Sequence, residues 1–271
     1  MVRSLWTGAT GMIAQQNNVD TIANNLANVN TTGYKSEVAE FKSLLYQTIQ
    51  SQSTTANGDP KPVSAQVGLG VRNSSITSNF TQGNFYSSTS STAFAIGGDG
   101  FFAYQGQDGE TYYTRAGDFK ISMAEGGFML ATPNGEPILN TEGEPLIFDS
   151  DLDANKIVIT STGEFTYPDE NNNLVSMDIS IGLFQFTNPA GLEKLGNSSY
   201  AVTDASGEAI NEADNEAITP SEIAQGYLEG SNVQIVDEMV NMIVAQRAYE
   251  MNSKAITTSD EMMQQANQLK R

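Results

Sequence analysis

The stretch NVQIVDEMVNMIVAQRAYEMNSKAITTSDEMMQQANQL, residues 232–269, contains neither Gly nor Pro and repeats apolar or small side chains at steps of three and four. Val233, Val236, Val240, Val244, Ala248, Met251, Ala255, Thr258, Met262, Ala266 and Leu269 mark the stripe. That cadence predicts one long helix, about 57 Å at 1.5 Å per residue. Ser231 or Asn232 is placed to cap it, and Asp237 and Glu238 lie near the positive end of its dipole.

The opposite end of the chain carries the same kind of pattern. Over residues 3–30, Leu5, Ala9, Met12, Gln16, Val19, Ala23 and Leu26 form a heptad seam, widened by Ile13 and Ile22. The predicted helix is roughly 40 Å long, and Gly33 in NTTGYK is its expected stop. Neither helix can bury its stripe against itself: the stripes pack on the protein's own core or, the simplest solution, on each other or on neighbouring subunits. Few residues of either stripe are large, and a lone pair of such helices is marginal. Gln15, Gln16, Asn17, Asn18, Asn24, Asn25, Gln264, Gln265 and Gln268 give the polar faces uncharged amides. Amides of this kind suit contact with other chains or a lined channel, for which Gln264, Gln265 and Gln268 are the candidates.

Charge separates the ends from the middle. Of the net −19, residues 1–35 contribute +1 and residues 232–271 contribute −1, so the 7 basic and 26 acidic side chains of residues 36–231 carry all of it. Such a body repels nucleic acid and anionic lipid, and neither is expected as a partner. The near-neutral ends can approach copies of themselves without a large Coulomb penalty.

The 271 residues include no Cys and no His. Thiolate chemistry, disulfides, Cys/His zinc sites and His-based acid–base catalysis are thereby excluded. No apolar run of 7–15 residues follows Arg3, and none approaches the ~20 needed to span a bilayer, so no cleaved signal and no membrane insertion are expected. By those rules alone the chain reads as soluble and cytoplasmic. The absence of thiols nevertheless suits a protein that ends outside the cytoplasm.

Between the helices the pattern turns to β. Residues 48–65 are polar with two prolines and read as a long loop or arm. From Phe94 to about Tyr200, strand-like runs alternate with Asp99-Gly100, Asp108-Gly109 and Asn134-Gly135. FFAYQGQDGETYYTR predicts a hairpin across Asp108-Gly109, GEPIL (135–139) returns as GEPLI (143–147), and ISIGLFQF (179–186) is the most apolar strand. The expected fold class is α+β, a mostly antiparallel β body inserted between terminal helices.

No site for chemistry stands out. Asp149, Asp151, Asp153 and Asn155 space like the start of an EF-hand loop, but its sixth position holds Ala154 and its twelfth Thr160. Gly97, Gly98 and Gly100 do not form GxGxxG and read as turn glycines before a strand. A carboxylate-based glycan hydrolase would need two acids about 5–9.5 Å apart, and no pair among the 32 is marked. An adhesin-like β module is the third class considered. No catalytic residue, cofactor or metal ligand is assigned.

SLWTGATGM and ANNLANVNTTGYK (23–35) resemble the N-terminal signature of the axial proteins of the bacterial flagellum, the rod and hook family. EGSNVQIVDEMVNMIVAQRAYEMNSKAI (229–256) is similar to the matching C-terminal signature. FKSLLYQTI (41–49), QVGLGVR (66–72), TQGNF (81–85), GGDGFF (97–102) and the polar arm look most like the distal-rod members; the alternative is a hook or other rod member.

The resemblance implies an inner coiled-coil domain of residues 1–34 and 228–271 and a connecting β-rich segment of 35–95 and 200–227. It also implies an outer β domain of 96–199. A hollow helical polymer would transmit motor torque to the hook and contain the export channel. The implied partners are further copies of the chain, proximal rod and hook proteins, ring (bushing) proteins and a rod cap. Location is the basal body in the cell envelope, reached by type III export without a cleaved signal. The subunit-interface residues expected on the helices are Leu5, Ala9, Met12, Val19, Ala23, Asn24, Asn25, Leu26, Asn28, Val236, Val240, Val244, Ala248, Met251, Ala255, Met262 and Leu269. Asn24, Asn25, Asn28 and Asn30 would hydrogen-bond across subunits or cap the helix end, the alternative being local turn-forming asparagines.

Overall fold

The computed structural model describes residues 2–50, 65–124, 126–150, 152, 156–169, 173–215 and 218–269. They divide into two compact units. The expected α+β class holds: the terminal helices pack together, and a mostly antiparallel β body lies between them in sequence.

The first unit contains α1 (Val2–Ala27), β1 (Glu37–Ser43), β2 (Tyr46–Gln50), β3 (Ala65–Gly68), β4 (Val71–Ser78) and α2 (Ile235–Gln268). β1 pairs with β4, and β2 pairs antiparallel with β3. The expected loop over 48–65 therefore begins and ends inside a strand pair, and residues 51–64 lie outside those described. Gly70 is required where β3 turns into β4. It has φ +113°, and a Cβ there would sit 2.2 Å from Thr10 Oγ1.

α2 is uninterrupted, as its sequence demands, with Asp237 and Glu238 in its first turn. Its cap is not the expected one. Gln234 occupies the N-cap position without a side-chain hydrogen bond. Ser231 Oγ accepts from Val233 N, while the Asn232 amide is spent on Ser36 N, Asn79 O and Thr81 O in the second unit.

The second unit holds β5 (Phe85–Ser87), β6 (Phe94–Gly97), β7 (Phe101–Gln105), β8 (Thr111–Thr114), β9 (Lys120–Ala124), β10 (Gly127–Ala131) and β11 (Ile147–Asp149). It continues through β12 (Val158–Ile159), β13 (Glu164–Pro168), β14 (Leu174–Ser180), β15 (Leu183–Gln185), β16 (Glu193–Gly196) and β17 (Ser199–Ala201). It ends with β18 (Ile210–Asn211), β19 (Glu222–Gln225) and β20 (Tyr227–Glu229).

A six-stranded sheet in the order β16-β17-β8-β7-β15-β18 is its centre. β7 is buried on both faces: Phe101 and Ala103 enter one apolar cluster, Phe102 and Tyr104 the other. That is the period-two alternation of a strand with a core on each side. The larger cluster adds Phe94, Phe128, Phe148, Phe165 and Ile138, the smaller one Tyr113, Phe186 and Tyr200.

Turns follow one local rule. In GQDGE (106–110), TPNGE (132–136), NTEGE (140–144) and TSTGE (160–164) the fourth residue is a Gly with φ between +83° and +92°. In each, the first N–H donates to the fifth carbonyl at 2.8–2.9 Å. This is a tight turn closed by a left-handed Gly, and it includes the predicted hairpin at Asp108-Gly109 and both GEP units. ISIGLFQF, expected as one strand, is instead split at Gly182 between β14 and β15. A Cβ at Gly182 would meet Asn140 O at 2.5 Å, so the chain bends where the backbone passes closest.

Candidate assembly interface

Packing of α1 on α2 begins with small residues. Gly8 and Gly11 place bare backbone against α2; a Cβ would lie 2.9 Å from Ile256 Cγ1 at Gly8 and 2.8 Å from Asn252 Nδ2 at Gly11. Polar pairs close the seam at both ends. Ser4 Oγ is 3.1 Å from Ser259 Oγ, and Asn25 Nδ2 donates to Glu238 Oε1 at 2.9 Å. The pairs 4 and 259, 11 and 252, and 25 and 238 each sum to 263, the mark of one unbroken antiparallel register.

This seam keeps the expected heptad cadence but lies one residue away from the expected positions. Ser4, Gly8, Gly11 and Asn25 precede Leu5, Ala9, Met12 and Leu26 by one. Asn252, Ile256 and Ser259 follow Met251, Ala255 and Thr258 by one. One residue is about 100° of helix rotation, so the apolar stripe is turned away from the partner helix. The physical reason is close approach: glycines and small polar side chains let the backbones meet, and the larger residues are displaced to the flank.

Most of the expected interface residues are accordingly open to solvent. Val236, Val240, Val244, Met251, Ala255, Met262 and Leu269 are exposed, as are Ala23 and Asn24; Val236 and Met251 each expose 72% of their surface. Leu5, Ala9, Met12, Val19, Leu26, Asn28 and Ala248 are half-buried. Trp6, Ile13 and Ile243 extend the exposed apolar surface. Gln264, Gln265 and Gln268 are exposed, and Gln264 donates to Asp260.

Asn25 departs from its expected role. It is 1% exposed and works inside the chain, donating to Glu37 O and Glu238 Oε1 and accepting from Glu37 N. Asn28 accepts from Thr31 in the turn after α1. Asn24 donates to Glu37 Oε2 at 3.5 Å.

The sequence reading missed a buried charge group inside the second unit, to which each signature segment contributes one residue. Glu229 is fully buried and accepts from Lys35 Nζ at 2.7 Å, Arg115 Nε at 3.1 Å and Gly83 N at 2.9 Å. Arg115 also donates to Gly98 O and Gly100 O, and Lys35 to Thr81 O. Burial, reinforced by the neighbouring Arg115, holds the Lys35 ammonium below its ordinary range. Backbone pairing accompanies it: Gly33 N donates to Glu229 O and Asn232 N to Tyr34 O. The available signal was the placement of Lys35 and Glu229 inside TTGYK and EGSN.

Among the described residues no group of three or more Asp or Glu is arranged to hold a metal ion, and no helix is long and apolar enough to cross a membrane. Asp151, Asp153 and Asn155 of the EF-hand-like spacing lie outside those residues.

Comparison with known proteins matches both ends and the body. Residues 5–35 match the profile "Flagella basal body rod protein", residues 95–167 "Flagellar hook protein FlgE/F/G D1 domain", and residues 224–269 "Flagellar basal body rod FlgEFG protein C-terminal". The flagellar basal-body rod protein FlgG of Borreliella burgdorferi is 44% identical over 277 aligned residues, covering 100% of both chains. The chain belongs to the FlgG family of flagellar basal-body rod proteins.

FlgG of Agrobacterium fabrum is 42% identical over 96% of this chain and 97% of its own. In Bacillus subtilis, FlgG is 36% identical over the whole of both chains, and the hook-basal body complex protein FlhP 30% over 97% of each. Within one organism the chain is thus more similar to FlgG than to FlhP. Both ends of the exposed stripe fall inside the matched terminal segments, residues 5–35 and 224–269.

Proposed function

We infer that this chain is a non-enzymatic structural subunit of the flagellar basal body that polymerises into the distal rod. The observation that carries the mechanism is the rotated seam. The two helices satisfy each other through glycines and polar pairs and leave Val236, Val240, Val244 and Met251 outside. Stripes of that size on a monomer mark a protein–protein contact. Copies of the chain bury them against one another, and association supplies the burial that the isolated pair lacks. Heterologous, non-closing contacts give a filament rather than a ring.

In this reading the rod transmits motor torque to the hook and encloses the export channel, with Gln264, Gln265 and Gln268 offering it uncharged amides. Proximal rod and hook proteins are the axial neighbours, and ring proteins and a rod cap are the remaining partners. The chain reaches the envelope by type III export without a cleaved signal. Residues 1–34 and 228–271 form the inner domain of the tube, 35–95 and 200–227 the connecting segment, and 96–199 the outer domain.

The test is assembly by purified protein. Wild-type protein at high concentration forms sedimenting tubes visible by electron microscopy, and Val240→Asp combined with Val244→Asp stays monomeric with unchanged circular dichroism. Tubes formed by the double variant would overturn the reading.

A further inference from the structure

We propose that Asn25 is the register lock of the helix pair, the positioning residue that decides which side chains the pair presents for self-association. The second half of that statement rests on the assembly reading given above; the first half does not.

The seam itself gives little purchase on register. Its closest contacts are Ser4 on Ser259, Gly8 on Ile256 and Gly11 on Asn252, and among the described residues Ala14, Ile22 and Ala245 are the buried apolar side chains of the two helices, a thin row to oppose a slide. Asn25 is different because its amide is fully engaged and buried. Its Oδ1 accepts from Glu37 N at 2.8 Å and its Nδ2 donates to Glu37 O at 2.8 Å, so one side chain pairs with the backbone at the start of β1 as a neighbouring strand would. The second Nδ2 hydrogen reaches Glu238 Oε1 at 2.9 Å in the first turn of α2. One residue therefore ties α1, β1 and α2 to a single arrangement.

Sliding α2 by one turn against α1 would remove Glu238 from the Asn25 amide and leave a buried donor unpaired. A buried polar group at a helix seam sets register in this way, at some expense of stability. Only an amide meets the requirement. A carboxylate cannot donate either of the two Nδ2 bonds, and it would face Glu238 with like charge. The same slide would shift the exposed Val236, Val240 and Val244 about 5.4 Å along α1, so register sets where the stripe stands along the pair.

The natural absence of Cys allows a direct reading of register in the full-length chain. Ser4→Cys with Ser259→Cys reports the observed register, since the two hydroxyls are 3.1 Å apart. Ser4→Cys with Met263→Cys and Ser4→Cys with Ala255→Cys report slides of one turn either way. The lock predicts rapid oxidation of the 4–259 pair alone. Asn25→Leu should lower its yield at least threefold and raise one of the shifted pairs.

Because Asn25→Leu could unfold α1, Glu238 gives a second route. Glu238→Leu should loosen the register as Asn25→Leu does, and Glu238→Gln, which keeps an acceptor, should preserve it. Undiminished 4–259 oxidation in helical Asn25→Leu, or equal behaviour of the two Glu238 variants, overturns the proposal. Sedimentation of the same proteins separates the two readings: a shifted register with normal polymerisation leaves the lock standing and removes the helix pair as the assembly surface.

Discussion

The Lys35 ammonium lies 2.7 Å from Glu229 Oε1, and neither side chain exposes more than 1% of its surface. Arg115 completes the group from the other carboxylate oxygen at 3.1 Å. A single carboxylate thus satisfies two buried cations that arrive from distant parts of the chain. Replacing Glu229 by Leu strands both. The expected loss is about 3–5 kcal/mol of unfolding free energy by urea titration, as for breaking any buried ion pair from one side. A loss below about 1 kcal/mol would mean that water reaches the cations.

The same site should be visible in the pH dependence of stability. Burial and Arg115 hold Lys35 below its ordinary 10.5, outweighing Glu229 and the nearby Asp99. Between that lowered value and 10.5 the unfolded chain binds more protons than the folded one, so this residue makes stability rise with pH across the window. Below the window its penalty is present in full. Lys35→Met lacks the effect, so the stability of wild type relative to Lys35→Met should increase as pH approaches 10.5. Tyr104 and Tyr113, raised by burial, act in the opposite sense above pH 10, but they are common to both proteins and cancel.

Gly33 tests the signature segment itself. It has φ +66°, and a Cβ there would stand 2.6 Å from Ala116 N and 2.7 Å from Arg115 C, neither of which can step aside. Gly33→Ala should cost about 2–5 kcal/mol, combining left-handed strain with overpacking against backbone. Gly109→Ala, with the same sign of φ but nothing within 4 Å, should cost only the strain, about 1–2 kcal/mol. Paired denaturation curves that coincide would show that the close contact is relieved by backbone movement.

What could be read from the sequence follows from how local each signal is. α2 was legible because thirty-odd residues without Gly or Pro leave few alternatives to a helix, and its apolar stripe was legible by spacing. Which face meets α1 was not, because Gly8 and Gly11 look like gaps in a hydrophobic seam while they are what permits contact. Asn25 looked like one amide among several, and its burial depends on Glu37 and Glu238, which no spacing rule connects to it. Asp108-Gly109 and Asn134-Gly135 marked turns correctly because a left-handed Gly is a local requirement, whereas beside Asp99-Gly100 the residue with positive φ is Gly98. The bend at Gly182 was hidden because the obstacle, Asn140 O, is remote in sequence. The Lys35–Glu229–Arg115 group is non-local for the same reason.

The aromatic core gives a stability prediction independent of the helices. Phe165 is 1% exposed, with the Phe148 ring 5.1 Å away and the Phe94 ring 6.4 Å away, both edge-on. Phe165→Ala should cost about 3–5 kcal/mol through lost burial and a cavity that the surrounding rings cannot close. Near-ultraviolet circular dichroism should fall with it while helical signal at 222 nm persists at low denaturant.

Assembly itself should respond to salt in a direction that separates its driving forces. The exposed stripe is apolar, while each subunit brings a net charge of −19 into a polymer of many copies. Burial of Val236, Val240, Val244 and Met251 gains nothing from ions, but mutual repulsion of the acidic bodies is screened as the Debye length falls from about 30 Å at 0.01 M to about 8 Å at 0.15 M. The critical concentration for polymerisation, measured by sedimentation, should therefore fall over that range, and fall again as pH is lowered toward the isoelectric point near 4.1. A critical concentration that rises with salt would instead place ion pairs between subunits as the main attraction, and the rotated apolar stripe would lose its role.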